Sequence, residues 1–472
     1  MKKNIIVIGA GMGGLAAAVR MARRGFRVQV LEARQQAGGL ASSIEINGFQ
    51  FDAGPYILLD RNGLEWSFRA LGLELSEMVP LTRLEEVYRV GWADGASVRF
   101  HHDLMKTAAG FESQWPGSGA RYVNFVRSCV ARYDALSPLL YKSHPGARDL
   151  LSNRAWRHAP FLASSLGQVL HSAKLPRPVN DAIAIWTHIA GQDVEDAPSV
   201  MAFVPALFHT VGAYYPSGGI GRIPGALVEA AAAAGVEFVL GTRVARIRSE
   251  SGRAVGVETA EDGFFPGDAI VSDSNGVGTY VELLQETPSQ ARHALEALPL
   301  QSPGAIAYLA VKPKPDSEYL RFHIPDSGGP CRLLAIPSFV RPGQGMDDLD
   351  GWSPARLIVP MGHSAAQTRG PAGQQEYLGQ VMTESWWREL VSEYRILSTR
   401  TPCQWGTEFN LYRDSMNPVM TARFMRQGRL AHRSPWLKGL YLAGSATHPG
   451  QWVSFCAISG ILAADKVCED LL

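Results

Sequence analysis

Hydrophobic positions open the chain as two short runs flanking one helical stretch. Ile5-Ile6-Val7-Ile8 is β-branched without polar interruption, the pattern of a buried parallel strand. Leu15 to Arg24 is rich in alanine with a basic end, and Gly25 stops it. Arg27-Val28-Gln29-Val30-Leu31 then reads as a second strand ending at Glu32, which completes a βαβ unit. Further along, the same reading predicts a helix from Gly63 to Leu73, a strand Tyr88 to Trp92 with a hairpin signal at Ala93-Asp94-Gly95-Ala96, and mostly helix to about His209. A helix Ile223 to Ala234 and strands Gly235 to Phe238, Thr242 to Ile247 and Ala269 to Asp273 follow. Later strand candidates are Ala305 to Val311, Leu333 to Ile336 and Ala355 to Pro360, with a helix near Gln374 to Glu393 and another from about Ser454 to Val467. There is no internal repeat.

The link between the first strand and the first helix is Gly9-Ala10-Gly11-Met12-Gly13-Gly14. Gly9 permits a tight turn, Gly11 lets backbone approach a pyrophosphate, and Gly14 lets helix and strand pack closely. The helix N-terminus then offers free N–H groups and a positive dipole end to the phosphates, and Glu32 can accept hydrogen bonds from ribose hydroxyls. A carboxylate there disfavours a 2′-phosphate. A second glycine pair, in Gly38-Gly39-Leu40-Ala41-Ser42-Ser43, follows Ala33-Arg34 closely enough to meet the same pyrophosphate, and this favours FAD over NAD. Asn275-Gly276-Val277-Gly278 lacks the third glycine of a second dinucleotide site, so no NAD(P)H domain is expected.

The string Val7 to Ser43 resembles the FAD signature of the glutathione reductase and amine oxidase superfamily, and within it the phytoene desaturase family of carotenoid enzymes. Phe51-Asp52-Ala53-Gly54-Pro55 resembles the segment that brings backbone near the isoalloxazine. Tyr214 to Gly219 resembles the return to the FAD domain, and Gly439-Leu440-Tyr441-Leu442-Ala443-Gly444-Ser445-Ala446-Thr447-His448-Pro449-Gly450 the second FAD signature. The resemblance implies an α/β fold in which a Rossmann-like FAD-binding domain (1–60, 218–280 and 428–472) is interleaved with an α+β substrate domain (61–217 and 281–427). A helical cap spans about 101–209. The cofactor-binding set it implies is Gly9, Gly11, Gly13, Gly14, Glu32, Ala33, Arg34, Gly38, Gly39, Leu40, Gly54, Pro55, Tyr56, Val244, Gly444, Ser445, Gln451, Trp452 and Val453. The chain departs from the family where a glycine ledge usually follows: here stand Pro449-Gly450-Gln451-Trp452-Val453-Ser454-Phe455, which puts an extended C40 polyene in doubt as substrate.

The activity implied is hydride transfer between FAD N5 and a hydrophobic, isoprenoid or otherwise conjugated substrate that is desaturated, saturated or isomerised. An amine-oxidase-like enzyme acting on a smaller molecule is the alternative, favoured if Trp452 and Tyr215 form an aromatic cage. An FAD-stabilised binding protein without turnover is the alternative of another class. Flavin dehydrogenation does not require a protein base. His448, Tyr215 and Trp452 are the residues singled out for catalysis, with Phe455 as a further pocket wall.

Composition adds constraints. With 45 basic and 44 acidic residues among 472, there is no global reason to expect nucleic acid. Five widely spaced cysteines and the isolated histidines His101-His102, His188 and His363 lack metal-ligand spacing. The thiols read as reduced, the early strand leaves no room for a signal peptide, and a cytoplasmic location is expected. From 141 to 180, Lys142, Arg148, Arg154, Arg157, Lys174 and Arg177 face one acid, Asp149, with apolar residues between them. This is a candidate surface for peripheral docking on the inner face of a membrane. Oligomeric state is not encoded in any pattern we recognise.

Overall fold

A computed structural model describes residues 2–152, 155–326, 329–340 and 351–472. Its first layer is a five-stranded, wholly parallel sheet in the order Leu440–Leu442, Ala269–Ser272, Asn4–Ile8, Arg27–Glu32, Glu237–Leu240. The apolar run Ile5–Val7 is fully buried at its centre, as a strand covered on both faces must be. Helices Met12–Arg23, Arg222–Ala233 and Val453–Leu471 pack together beside it. An antiparallel sheet of Val244–Glu250, Arg253–Thr259 and Phe264–Pro266 adjoins this layer.

The second unit is a seven-stranded sheet in the order Val391–Arg400, Ala305–Pro313, Ser353–Val359, Arg332–Ala335, Leu320–Ile324, Glu86–Trp92, Ser97–His101. All its pairs are antiparallel except Leu320–Ile324 with Glu86–Trp92, the point where the two inserted segments of chain meet. Helices from Leu104–Gln114 to Phe203–Thr210 cover one side. Stacked and edge-on rings of Tyr88, Phe100, Trp186, Phe208 and Phe322 join them to the sheet.

Several expected elements shift. The helix near Gln374–Glu393 runs instead over His363–Met382, as two stretches meeting at Gly370 (φ +62°) and Pro371. Where it was expected to continue, a short helix Ser385–Arg388 leads into strand Val391–Arg400. Strand Leu320–Ile324 was not expected. Among the described residues no helix is long and apolar enough to cross a membrane.

Candidate functional site

One internal cavity runs from the glycine loop of the parallel sheet to the concave side of the seven-stranded sheet, and the centre of a water-sized sphere can roam about 450 Å³ of it. Every residue of the expected cofactor-binding set lines it except Gly14 and Gly444. Those two lie just behind the wall. A Cβ at Gly14 would sit 2.1 Å from the carbonyl oxygen of Gly9, so this glycine is needed for helix and strand to touch. Gly444 packs on Gly13, where a Cβ would lie 2.7 Å from the Gly444 nitrogen. Gly11 is a correction of role. The side chain it lacks would point at the carboxylate of Asp273, 2.6 Å away, which the sequence reading did not foresee.

At this end Glu32 is buried, and its carboxylate accepts from the N–H groups of Ala10 (2.8 Å) and Arg34 (2.9 Å). Each oxygen keeps a lone pair for a hydroxyl in the cavity. Gly38 and Gly39 adopt positive φ (+112° and +53°), and a Cβ on Gly39 would lie 3.2 Å from the Gly11 Cα, so the two glycine loops meet. The Arg34 guanidinium lies 3.9 Å over the Phe409 ring, and burial lowers its pKa. Trp405 and Phe409 are wall residues that the sequence did not reveal.

At the other end the walls are apolar: Tyr56, Trp186, Ile189, Met201, Val204, Ile306 and Ile358. Polar groups there are few and tied together. Asn417 donates to Gln301 Oε1 and to Gln451 Oε1, both at 2.9 Å. Asp60 is fully buried, accepts from Gly63 N–H and Ser454 Oγ, and burial raises its pKa. The segment Asp52–Pro55 is held from the other unit by Arg356. Its buried guanidinium donates to the carbonyls of Asp52 (2.8 Å), Gly54 (3.0 Å) and Pro55 (3.2 Å), and it lies 3.9 Å from the Asp52 carboxylate.

Of the three residues singled out for catalysis, only Trp452 lines the cavity, where it stacks on Phe455 at 5.0 Å. Tyr215 lies behind the wall and donates its hydroxyl to Asp52 at 2.5 Å, so it forms no aromatic cage with Trp452. His448 is also outside, its Nε2 at 2.9 Å from the Leu139 carbonyl, and burial drives its pKa down to about 3. It is a neutral, structural imidazole across the physiological range.

A dinucleotide-shaped cavity built on a glycine loop, entered by a helix start and closed by an apolar end, defines a flavoprotein oxidoreductase. The chain belongs to the family of flavin-containing amine oxidoreductases, which it matches over residues 12–468. It is 28% identical to the zeta-carotene-forming phytoene desaturase of Myxococcus xanthus, over 98% of this chain and 94% of that protein. To the phytoene desaturase of Fusarium fujikuroi it is 26% identical, over 100% of this chain and 90% of that protein. Among solved structures, an oxidoreductase from Methanosarcina mazei aligns with a TM-score of 0.66 at 17% identity, covering 99% of this chain and 100% of that one. Putrescine oxidase with putrescine bound aligns with a TM-score of 0.65 at 16% identity, covering 99% of each chain. The protein is a phytoene-desaturase-like flavin-dependent oxidoreductase.

Proposed function

We propose that the cavity holds FAD, with the ADP half between Glu32 and the glycine loops and the isoalloxazine toward Gly54–Tyr56 and Gln451–Val453. We further propose that the substrate is a hydrophobic, carotenoid-like isoprenoid. The observation that carries this reading is the change of character along one cavity, from backbone N–H groups and Glu32 at one end to Trp186, Met201, Val204, Ile306 and Ile358 at the other. FAD supplies a hydride acceptor or donor. The chain's own residues position and dehydrate: Arg356 fixes Asp52–Pro55, the Gln301–Asn417–Gln451 amides orient the polar rim, and the apolar walls exclude water. The absence of an aromatic cage, with Tyr215 committed to Asp52, argues against the amine alternative.

The test is anaerobic mixing of the yellow protein with C30 and C40 polyenes and with alkyl amines. Bleaching by a polyene alone is expected. Bleaching by amines alone would overturn the substrate class, and isolation with a flavin mononucleotide would overturn FAD.

A peripheral membrane contact is favoured by the exposed apolar side chains Leu151 (63% exposed) and Trp156 (52%) beside the basic residues of 141–180. Arg157 lies 5.6 Å over the Trp156 ring, and Lys142 is paired with Asp149. Arg154, counted in that basic set, lies outside the described residues.

A further inference from the structure

Helix Met12–Arg23 begins without a capping side chain: Gly11 is its N-cap and its first turn holds no acid. The group that faces its free N–H groups comes from elsewhere in the chain. Asp273, just past strand Ala269–Ser272, lines the cavity and hydrogen-bonds to the backbone of Gly14 and Gly11. Its carboxylate oxygens fill the space where Cβ atoms would stand at Gly11, Gly13 and Gly444, at 2.6, 2.4 and 2.4 Å. The glycines of both sequence signatures therefore close around one acid. No lysine, arginine or histidine lies within ion-pair distance of it among the described residues.

A pyrophosphate seated on this glycine loop draws on the same helix start. Two anions in a dry cavity cannot share those donors at low cost, whereas a carboxylic acid can remain and donate to a phosphate oxygen. We propose that Asp273 is a proton-coupled latch of the dinucleotide site: binding of FAD takes up one proton, which resides on the Asp273 carboxyl. This rests on the FAD reading above. The surrounding charges agree with it. Burial pushes the Asp273 carboxyl up to about 7, against the opposing hydrogen bond from Gly14, and the nearby Glu32 carboxylate adds to the rise. The other titratable group facing it is the Cys456 thiol of helix Val453–Leu471, which burial keeps neutral. Neither supplies a compensating cation.

The sign follows directly. A dianionic ligand raises the Asp273 pKa further, so FAD affinity is constant below the free-state value and weakens as pH rises through it, by about tenfold per unit for a single proton. The experiment titrates apoprotein with FAD from pH 6 to 9, followed by quenching of flavin fluorescence. Calorimetry at pH 8 in two buffers of different ionisation enthalpy counts the protons. The expected result is a Kd flat to about pH 6.5 and rising above 7.5, with close to one proton taken up; Asp273→Asn gives a flat Kd and no uptake. A wild-type Kd independent of pH, or equal proton uptake in both proteins, overturns the latch while leaving the FAD reading intact. Failure to bind FAD at every pH overturns both. The wild-type data decide the matter even if the variant folds poorly.

Discussion

Gly460 lies in helix Val453–Leu471 where that helix crosses Met12–Arg23, and a Cβ there would sit 2.0 Å from the Gly13 carbonyl oxygen and 3.1 Å from the Ala17 nitrogen. Two effects oppose each other in Gly460→Ala. Helix propensity favours alanine over glycine by about 0.8–1.0 kcal/mol in a helix interior. Overpacking costs about 1–3 kcal/mol, and more when the obstacle is backbone rather than a mobile side chain. To bring the methyl to ordinary contact, the helices must separate by more than about 1 Å. The overpacking wins, and a net loss of about 2 kcal/mol is expected. The displaced helix carries Val453 and Ser454 at its start, so flavin occupancy falls with stability. Gly379→Ala is the control: it is exposed in helix His363–Met382, with nothing within 4 Å of a built Cβ, and propensity alone acts there. Urea unfolding and the ratio of flavin to protein absorbance read both variants. If Gly460→Ala stabilises the protein as Gly379→Ala is expected to, the crossing is looser than described and the reasoning fails.

Arg356→Lys keeps the charge but loses the planar fork that reaches three carbonyls, so a destabilisation of about 3 kcal/mol and faster flavin loss on gel filtration are expected. Burial lowers the pKa of His448 to about 3 and of His432 and His209 to about 4. The unfolded chain takes up protons on these groups below about pH 6.5 that the folded chain refuses, so stability is lost as pH falls through that window. The slope near pH 5 is roughly 4 kcal/mol per pH unit for three such groups, and melting temperatures that stay level from pH 7 to 5 would contradict it. Paired Leu151→Ser and Trp156→Ser substitutions should abolish co-sedimentation with anionic liposomes; a wild type that does not sediment removes the docking proposal.

What the sequence discloses here is what lies close together along it. The βαβ unit, Glu32 and the glycine pairs occupy one short stretch in which strand, turn and helix dictate one another, and they reappear in one cavity wall. The conserved-looking strand Ala305–Val311 is readable because all its side chains are buried. Val391–Arg400 is not, because it lies at a sheet edge with most positions facing solvent, so its pattern carries neither helical nor strand periodicity. Contacts between distant positions are also silent. Asp273 meets Gly11 through the parallel pairing of Asn4–Ile8 with Ala269–Ser272, and His448 bonds a carbonyl 309 positions away. A motif histidine and a tyrosine beside a signature attracted a catalytic reading that only the distance to the cavity could settle.

The crossing of helices Met12–Arg23 and Val453–Leu471 also has a consequence in time. At about 5–20 residues per second, translation delivers the second helix roughly 20–90 s after the first. Until then the glycine loop has its helix but neither the Gly444 segment nor the partner helix against which it rests. The growing chain must therefore carry uncovered apolar surface through most of its synthesis, and assembly of the cofactor site is a late event of biogenesis rather than an early nucleus.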